Sequence, residues 1–125
     1  MQKRILLVVG DRDTRELLAQ GLSDHGFGTF MASDGVSGLF QFGLVQPDLV
    51  VLGVNGWETL RRIRALSGVP IIVLIEDDSK SRVESLNQGA DYFVIKPPSL
   101  LEIDAKVRVL FRSYSAPLAK AVPPE

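Results

Sequence analysis

The sequence predicts an α/β fold, a parallel five-stranded sheet covered by helices on both faces. Three observations predict it. Four short runs rich in Val, Ile and Leu are continuously apolar, as strands buried on both faces are. Segments with apolar residues at helical spacing fill the gaps between them. The two patterns alternate along the chain, giving (βα) five times over. Right-handed crossovers between parallel strands then produce a three-layer, doubly wound sandwich.

The first strand is "ILLVV" at 5–9, and the helix after it, "DTRELLAQGLSDHG", sets Leu17, Leu18 and Leu22 on one face, with Gly26 as its stop. A weaker strand, "GTFMA", follows at 28–32. The second helix, "SDGVSGLFQFGLVQP", repeats apolar residues at Val36, Leu39, Phe40 and Leu44, and Pro47 closes it. Gly21, Gly38 and Gly43 lie inside these two helices, each costing about 1 kcal/mol relative to alanine. The third strand is "DLVVL" at 48–52, and its helix, "WETLRRIRALSG", turns Leu60, Ile63 and Leu66 inward. "PIIVLI" at 70–75 precedes a helix carrying Val83 and Leu86. "YFVI" at 92–95 precedes one carrying Leu100, Ile103, Val107 and Leu110. Residues 1–113 make one domain on this reading. The Pro/Ala-rich residues 114–125 read as a tail, or as a linker to an output domain.

Composition removes several function classes. The 125 residues include no cysteine and one histidine, His25, so thiolate chemistry and Cys- or multi-His metal sites are excluded. The formal charge of −1 carries no nucleic-acid footprint. The N-terminal apolar run is too short for a signal peptide or a membrane span, and a cytoplasmic location is expected.

In a doubly wound sheet the site lies beyond the carboxyl ends of the strands. Those ends carry Gly10-Asp11, Gly53-Val54-Asn55, Ile75-Glu76 and Lys96-Pro97. Together with "RILLVVGDRDTRELLAQGL", "QPDLVVL", "LRRIRALSGVPIIVL" and "GADYFVIKP", they give a chain that resembles the receiver domains of two-component response regulators, over about Lys3 to Arg112. The resemblance implies a flavodoxin-like, CheY-like sheet of strand order 2-1-3-4-5. It also implies a phosphoacceptor aspartate after the third strand, an acidic pair after the first that holds Mg²⁺ with it, a hydroxyl after the fourth and a lysine after the fifth.

The sequence departs from that pattern at nearly every position. The phosphoacceptor position falls on Gly53, which has no side chain to phosphorylate. The acidic pair falls on Val9 and Gly10, the hydroxyl on Ile75, and the family's aromatic switch on Phe93. Lys96 alone is retained, and the family implies a cis peptide bond to Pro97. The loop "VNG" is shorter than the family's. No metal, cofactor or catalytic residue is expected, and the chain reads as a pseudo-receiver, not an enzyme.

Several residues keep two readings. Gly53 either lets a ligand approach the backbone or serves a tight turn with positive φ. Asp11 either caps a helix or forms a salt bridge to Lys96. Glu76, Asp77 and Asp78 form a partner patch or cap a helix, and Trp57 covers the vacated pocket or anchors a partner. In the winged-helix transcription-factor branch, receivers dimerise through the fourth helix, fifth strand and fifth helix. Carried over by position, that surface comprises Arg82, Asp91, Tyr92, Glu102, Lys106 and Arg108, with Tyr92 where an acid is usual.

Two functions follow as expectations. One is a phosphorylation-independent signalling module that acts through a homodimer and a signalling protein partner, with no nucleic acid or membrane bound by the domain itself. The other is a small-molecule-binding domain using the vacated crevice. Phosphate-bearing ligands fit it poorly, since "VVGDRDTRE" places carboxylates where a phosphate loop would be.

Overall fold

The computed structural model describes residues 2–55 and 57–115. Its elements follow the predicted order: β1 (Arg4–Val9), α1 (Arg12–Asp24), β2 (Gly28–Ala32), α2 (Gly35–Val45), β3 (Leu49–Gly53), α3 (Glu58–Leu66), β4 (Ile71–Ile75), α4 (Ser79–Asn87), β5 (Tyr92–Ile95) and α5 (Leu100–Ser115). All five strands are parallel, in the order β2-β1-β3-β4-β5. The Pro/Ala-rich stretch from 116 onward lies outside the described residues.

Each strand sends alternate side chains to opposite faces, so the continuous apolar runs feed two cores. Ile5, Leu7, Val9, Val51, Ile72 and Leu74 meet α1 and α5 on one face. Leu6, Val8, Val50, Leu52, Val73 and Ile75 form the other, with Leu60 and Ile63 of α3. Three helices start on an aspartate that caps them: Asp11 accepts from Thr14 N–H, Asp34 from Ser37 N–H, and Asp78 from Ser81 N–H. Gly26 and Gly89, with φ of 94° and 108°, take the chain out of α1 and α4.

Three helix faces differ from the expected ones. In α2, Val36, Phe40 and Leu44 face solvent, and the inward line runs through Gly35, Gly38, Leu39 and Phe42. Gly38 explains the rotation. A Cβ there would lie 2.6 Å from Val8 Cγ1, so the missing side chain lets α2 rest directly on β1. Leu66, at the last turn of α3, and Leu17 on α1 are likewise exposed. Gly21 is a contact glycine too, since the Leu100 side chain occupies the space its Cβ would need.

Candidate functional site

The strand tips are built from neighbouring backbones. Val9 and Gly53 are register partners at the ends of β1 and β3, and Gly10 N–H donates to the Gly53 carbonyl at 3.1 Å. Gly53 is therefore the last residue of a strand, and among the described glycines only Gly26 and Gly89 have positive φ. This corrects the tight-turn reading. The reason for a glycine here is packing. A Cβ on Gly53 would lie 2.8 Å from Leu74 Cδ1 and 3.3 Å from its Cγ, so Leu74 fills the volume in which a side chain would begin.

At the other positions that the resemblance assigns to phosphate chemistry, the side chains are apolar or absent. Val9 is buried in the core shared with α1 and α5. Ile75 is buried in the opposite core, against which Phe93 and Ile95 pack. Gly10 has room, since a Cβ there would meet only the carbonyls of Gly53 and Ser33, at 3.8 and 3.9 Å. The Arg15 guanidinium, from the first turns of α1, donates to the Val9 carbonyl at 2.8 Å. A fixed cation thus already serves the carboxyl end of β1.

Asp11 does not pair with Lys96, contrary to that expectation. Its carboxylate turns back to α1, accepting from Thr14 Oγ1–H at 2.6 Å and Thr14 N–H at 2.9 Å. The hydroxyl bond first, then the backbone bond, hold its pKa below the ordinary value of 3.8. Lys96 Nζ instead lies 3.3 Å from Glu76 Oε2. The strand pairing explains the choice. Lys96 N–H donates to the Ile75 carbonyl, which sets Lys96 beside the residue that follows Ile75. The Lys96–Pro97 peptide is cis, as the resemblance implies.

These residues surround a crevice of about 420 Å³ lined by Val9, Thr14, Gly53, Leu74, Glu76 and Lys96, among others. Beside it a wider cleft of about 1290 Å³ opens between the first turns of α2 and α3, past Asp34, Val36, Phe40, Asn55, Glu58 and Arg62. Only residues 54–57 separate β3 from α3, and Val54 and Asn55 line the cleft. Trp57 packs on the core beneath α3 and is not among the residues lining either space.

The site does not fit Mg²⁺. A hard cation needs about six oxygens, usually including more than one carboxylate. At Val9, Gly10 and Gly53 there is none, and the Asp11 carboxylate is engaged by Thr14. Among the described residues no group of three or more His, Asp or Glu side chains could hold a metal.

The remaining sequence-selected residues lie at the β5 edge. Asp91 accepts from Arg64 Nη2–H at 3.0 Å and from Ile71 N–H at 2.8 Å. Arg64 also donates to the carbonyls of Gly89 and Val69, so it ties α3 to the turn before β5. Arg82 pairs with Asp77, Lys106 with Glu102 at 3.1 Å, and Arg108 with Asp104 at 3.0 Å. Lys106 Nζ also stands 5.8 Å from the centre of the Tyr92 ring. Val83 and Leu86 of α4 are exposed beside these charges. Of the acidic run, Glu76 serves Lys96, Asp77 serves Arg82 and Asp78 caps α4. Sequence reasoning missed Arg15 and Leu74. The pairing Leu52↔Val73 puts Leu74 beside Gly53, so strand register was the signal that could have found it.

Comparison with known proteins agrees with the fold. The chain is 34% identical over 119 residues to the transcriptional regulatory protein HprR of Escherichia coli (strain K12), covering 90% of this chain and 53% of that protein. It is 41% identical over 122 residues to the response regulator MprA of Mycobacterium sp. (strain KMS), covering 92% and 53%. The chain thus spans about half the length of these curated relatives. A two-component response regulator from Clostridium difficile, solved by crystallography, superposes with a TM-score of 0.86 at 27% identity, covering 92% of this chain and 100% of that one. No described helix is long and apolar enough to cross a membrane. Residues 5–108 match the family described as "Response regulator receiver domain", and the chain belongs to that family.

Proposed function

We propose that this is a receiver domain that signals without phosphate, through protein–protein contacts, as the regulatory part of a longer transcriptional regulator. The observation that carries the reading is the Gly53–Leu74 packing. At the phosphoacceptor-equivalent position there is neither a carboxylate nor space for one without moving Leu74. Val9, Gly10 and Ile75 supply no metal ligand or hydroxyl, and no enzymatic role is assigned to the site. Lys96, left without a phosphoryl partner, is neutralised by Glu76. Ile75 and Phe93 share one apolar core, and on this reading they hold a single conformation where active receivers switch between two. The regulator reading rests on HprR, named a transcriptional regulatory protein and about twice as long as this chain. A cytoplasmic location is part of this proposal, consistent with the regulator reading.

The contact surface we assign is α4-β5-α5, as a homodimer, with a signalling protein as a further partner. Val83 and Leu86 supply an apolar patch, and Arg82, Glu102, Lys106 and Arg108 a charged surround. Exposed ion pairs contribute about 0–1 kcal/mol each, so these charges set register more than affinity. Asp91 is tied to Arg64 and Ile71, and it serves the fold first. The wide cleft favours the small-molecule reading in one respect, its volume. Asp11, Asp34 and Glu58 line it together with Arg62 and Lys96, so its lining carries charges of both signs.

Fluorine NMR of the chain with beryllofluoride and Mg²⁺ tests the first claim, and no bound resonance is expected. Sedimentation of the Arg82→Glu variant tests the second. Loss of the wild-type dimer is expected, and an unchanged dimer removes α4-β5-α5 from the account.

A further inference from the structure

Resting on the α4-β5-α5 reading, we propose that Arg64 is a positioning residue for that surface. It lies on α3, outside the surface, and its guanidinium sets the corner from which α4 and β5 both leave. The need for such a residue comes from α4. A surface helix is oriented by the apolar face it buries, and α4 buries only Ser85. Its apolar residues Val83 and Leu86 are 60% and 50% exposed. The direction of α4 is therefore fixed at its ends. Asp78 caps the start, and the other end runs through Gln88, Gly89, Ala90 and Asp91 into β5.

Arg64 reaches this second end. Its Nε–H and Nη2–H donate to the Gly89 carbonyl at 2.9 and 2.7 Å, and Nη2–H donates to Asp91 Oδ2 at 3.0 Å. Nη1–H turns the other way, to the carbonyls of Val69 at 2.6 Å and Ser67 at 3.3 Å, in the turn between α3 and β4. One planar group thus holds two turns together. Asp91 completes the joint: it accepts from Ile71 N–H at 2.8 Å, and its own N–H donates to the Ile71 carbonyl at 2.9 Å. The fit extends to the stem of the side chain. A Cβ on Gly89 would lie 3.2 Å from Arg64 Cγ, and the φ of 108° there favours glycine as well. A guanidinium presents its donors in one fixed plane, which an ammonium cannot match. Val83 and Leu86 stand shortly before this corner and Tyr92 directly after it. A shift of the corner moves the α4 patch relative to β5, and with it the shape offered to a second copy.

Dimer dissociation constants from sedimentation equilibrium, measured where each chain is fully folded, test the assignment. Arg64→Ala should weaken the dimer by about tenfold, and Arg64→Lys by about threefold. Gly38→Ala is the control for lost stability alone, since its Cβ would press on Val8, away from α4, β5 and α5. It should leave the constant unchanged. An unchanged constant in Arg64→Ala, or equal weakening in Gly38→Ala, overturns the assignment. Should Arg64→Ala fail to fold, Arg64→Lys decides, and a constant equal to wild type overturns it. A wild-type chain that stays monomeric removes the contact surface itself, and this role of Arg64 with it. That result needs no variant, so the two failures are told apart.

Discussion

Leu74 occupies the space in which any side chain on Gly53 would have to start, with its Cδ1 2.8 Å from the position of a Gly53 Cβ. Gly53 ends β3, Leu74 is the next-to-last residue of the adjacent β4 on the same face of the sheet, and Leu74 is buried. The position that the resemblance gives to the phosphoacceptor is therefore packed by Leu74 and is not a simple vacancy. Restoring an aspartate requires the core edge to move.

Gly53→Asp should destabilise the domain by about 1–3 kcal/mol, the usual cost of overpacking. Equilibrium denaturation checks it, and Leu74→Ala in the same chain should make the aspartate cheaper than it is alone. Without metal ligands at Val9 and Gly10, the new carboxylate should still take up no phosphoryl group.

The helix glycines divide by sign. Gly43→Ala should stabilise by up to about 1 kcal/mol, because alanine is the better helix former and the site is open. Gly38→Ala should destabilise by about 1–3 kcal/mol, because its Cβ would press on Val8. Thermal unfolding of the two variants gives shifts of opposite direction.

Arg64 joins α3 to the turn before β5 through the carbonyls of Gly89 and Val69 and the Asp91 carboxylate. Arg64→Ala should cost about 1–3 kcal/mol, since it takes the guanidinium donor from the part-buried Gly89 and Val69 carbonyls. Arg64→Lys should recover only part of that, because an ammonium cannot reproduce the guanidinium fork. Denaturant titration of the three chains orders them.

Acid should weaken the domain through its helix caps. Backbone and then hydroxyl bonds from Ser37 lower Asp34, as do those from Ser81 for Asp78, and Thr14 acts likewise on Asp11. At Asp104 partial burial pushes the pKa up, but bonds from Arg108 and His25 outweigh it and the net shift is downward. Carboxylates with depressed folded pKa values stabilise the fold above about pH 4, and that contribution is lost as pH falls through the folded values. Replacing Asp34 with Asn keeps a capping group but should flatten the acid limb of a stability–pH curve.

The sheet was legible in the sequence because its strands are continuous apolar runs. The run at 92–95 coincides with β5, while the run at 48–52 misses Gly53, whose place in β3 rests on backbone pairing with β1. The outward face of α2 was not legible, since apolar spacing identifies a stripe but not its direction. Gly38 on Val8 and the inward Leu39 and Phe42 decide that. The same limit hid the partner of Lys96. Carboxylates follow both β1 and β4, and only the strand order and the Lys96–Ile75 backbone bond select Glu76 over Asp11.

On the proposed function, the chain takes up no phosphoryl group. Intact mass spectrometry after incubation with acetyl phosphate and Mg²⁺ tests it most directly. An unchanged mass across the full time course is expected. A gain of one phosphoryl group that is released by hydroxylamine, as an acyl phosphate is, would contradict it.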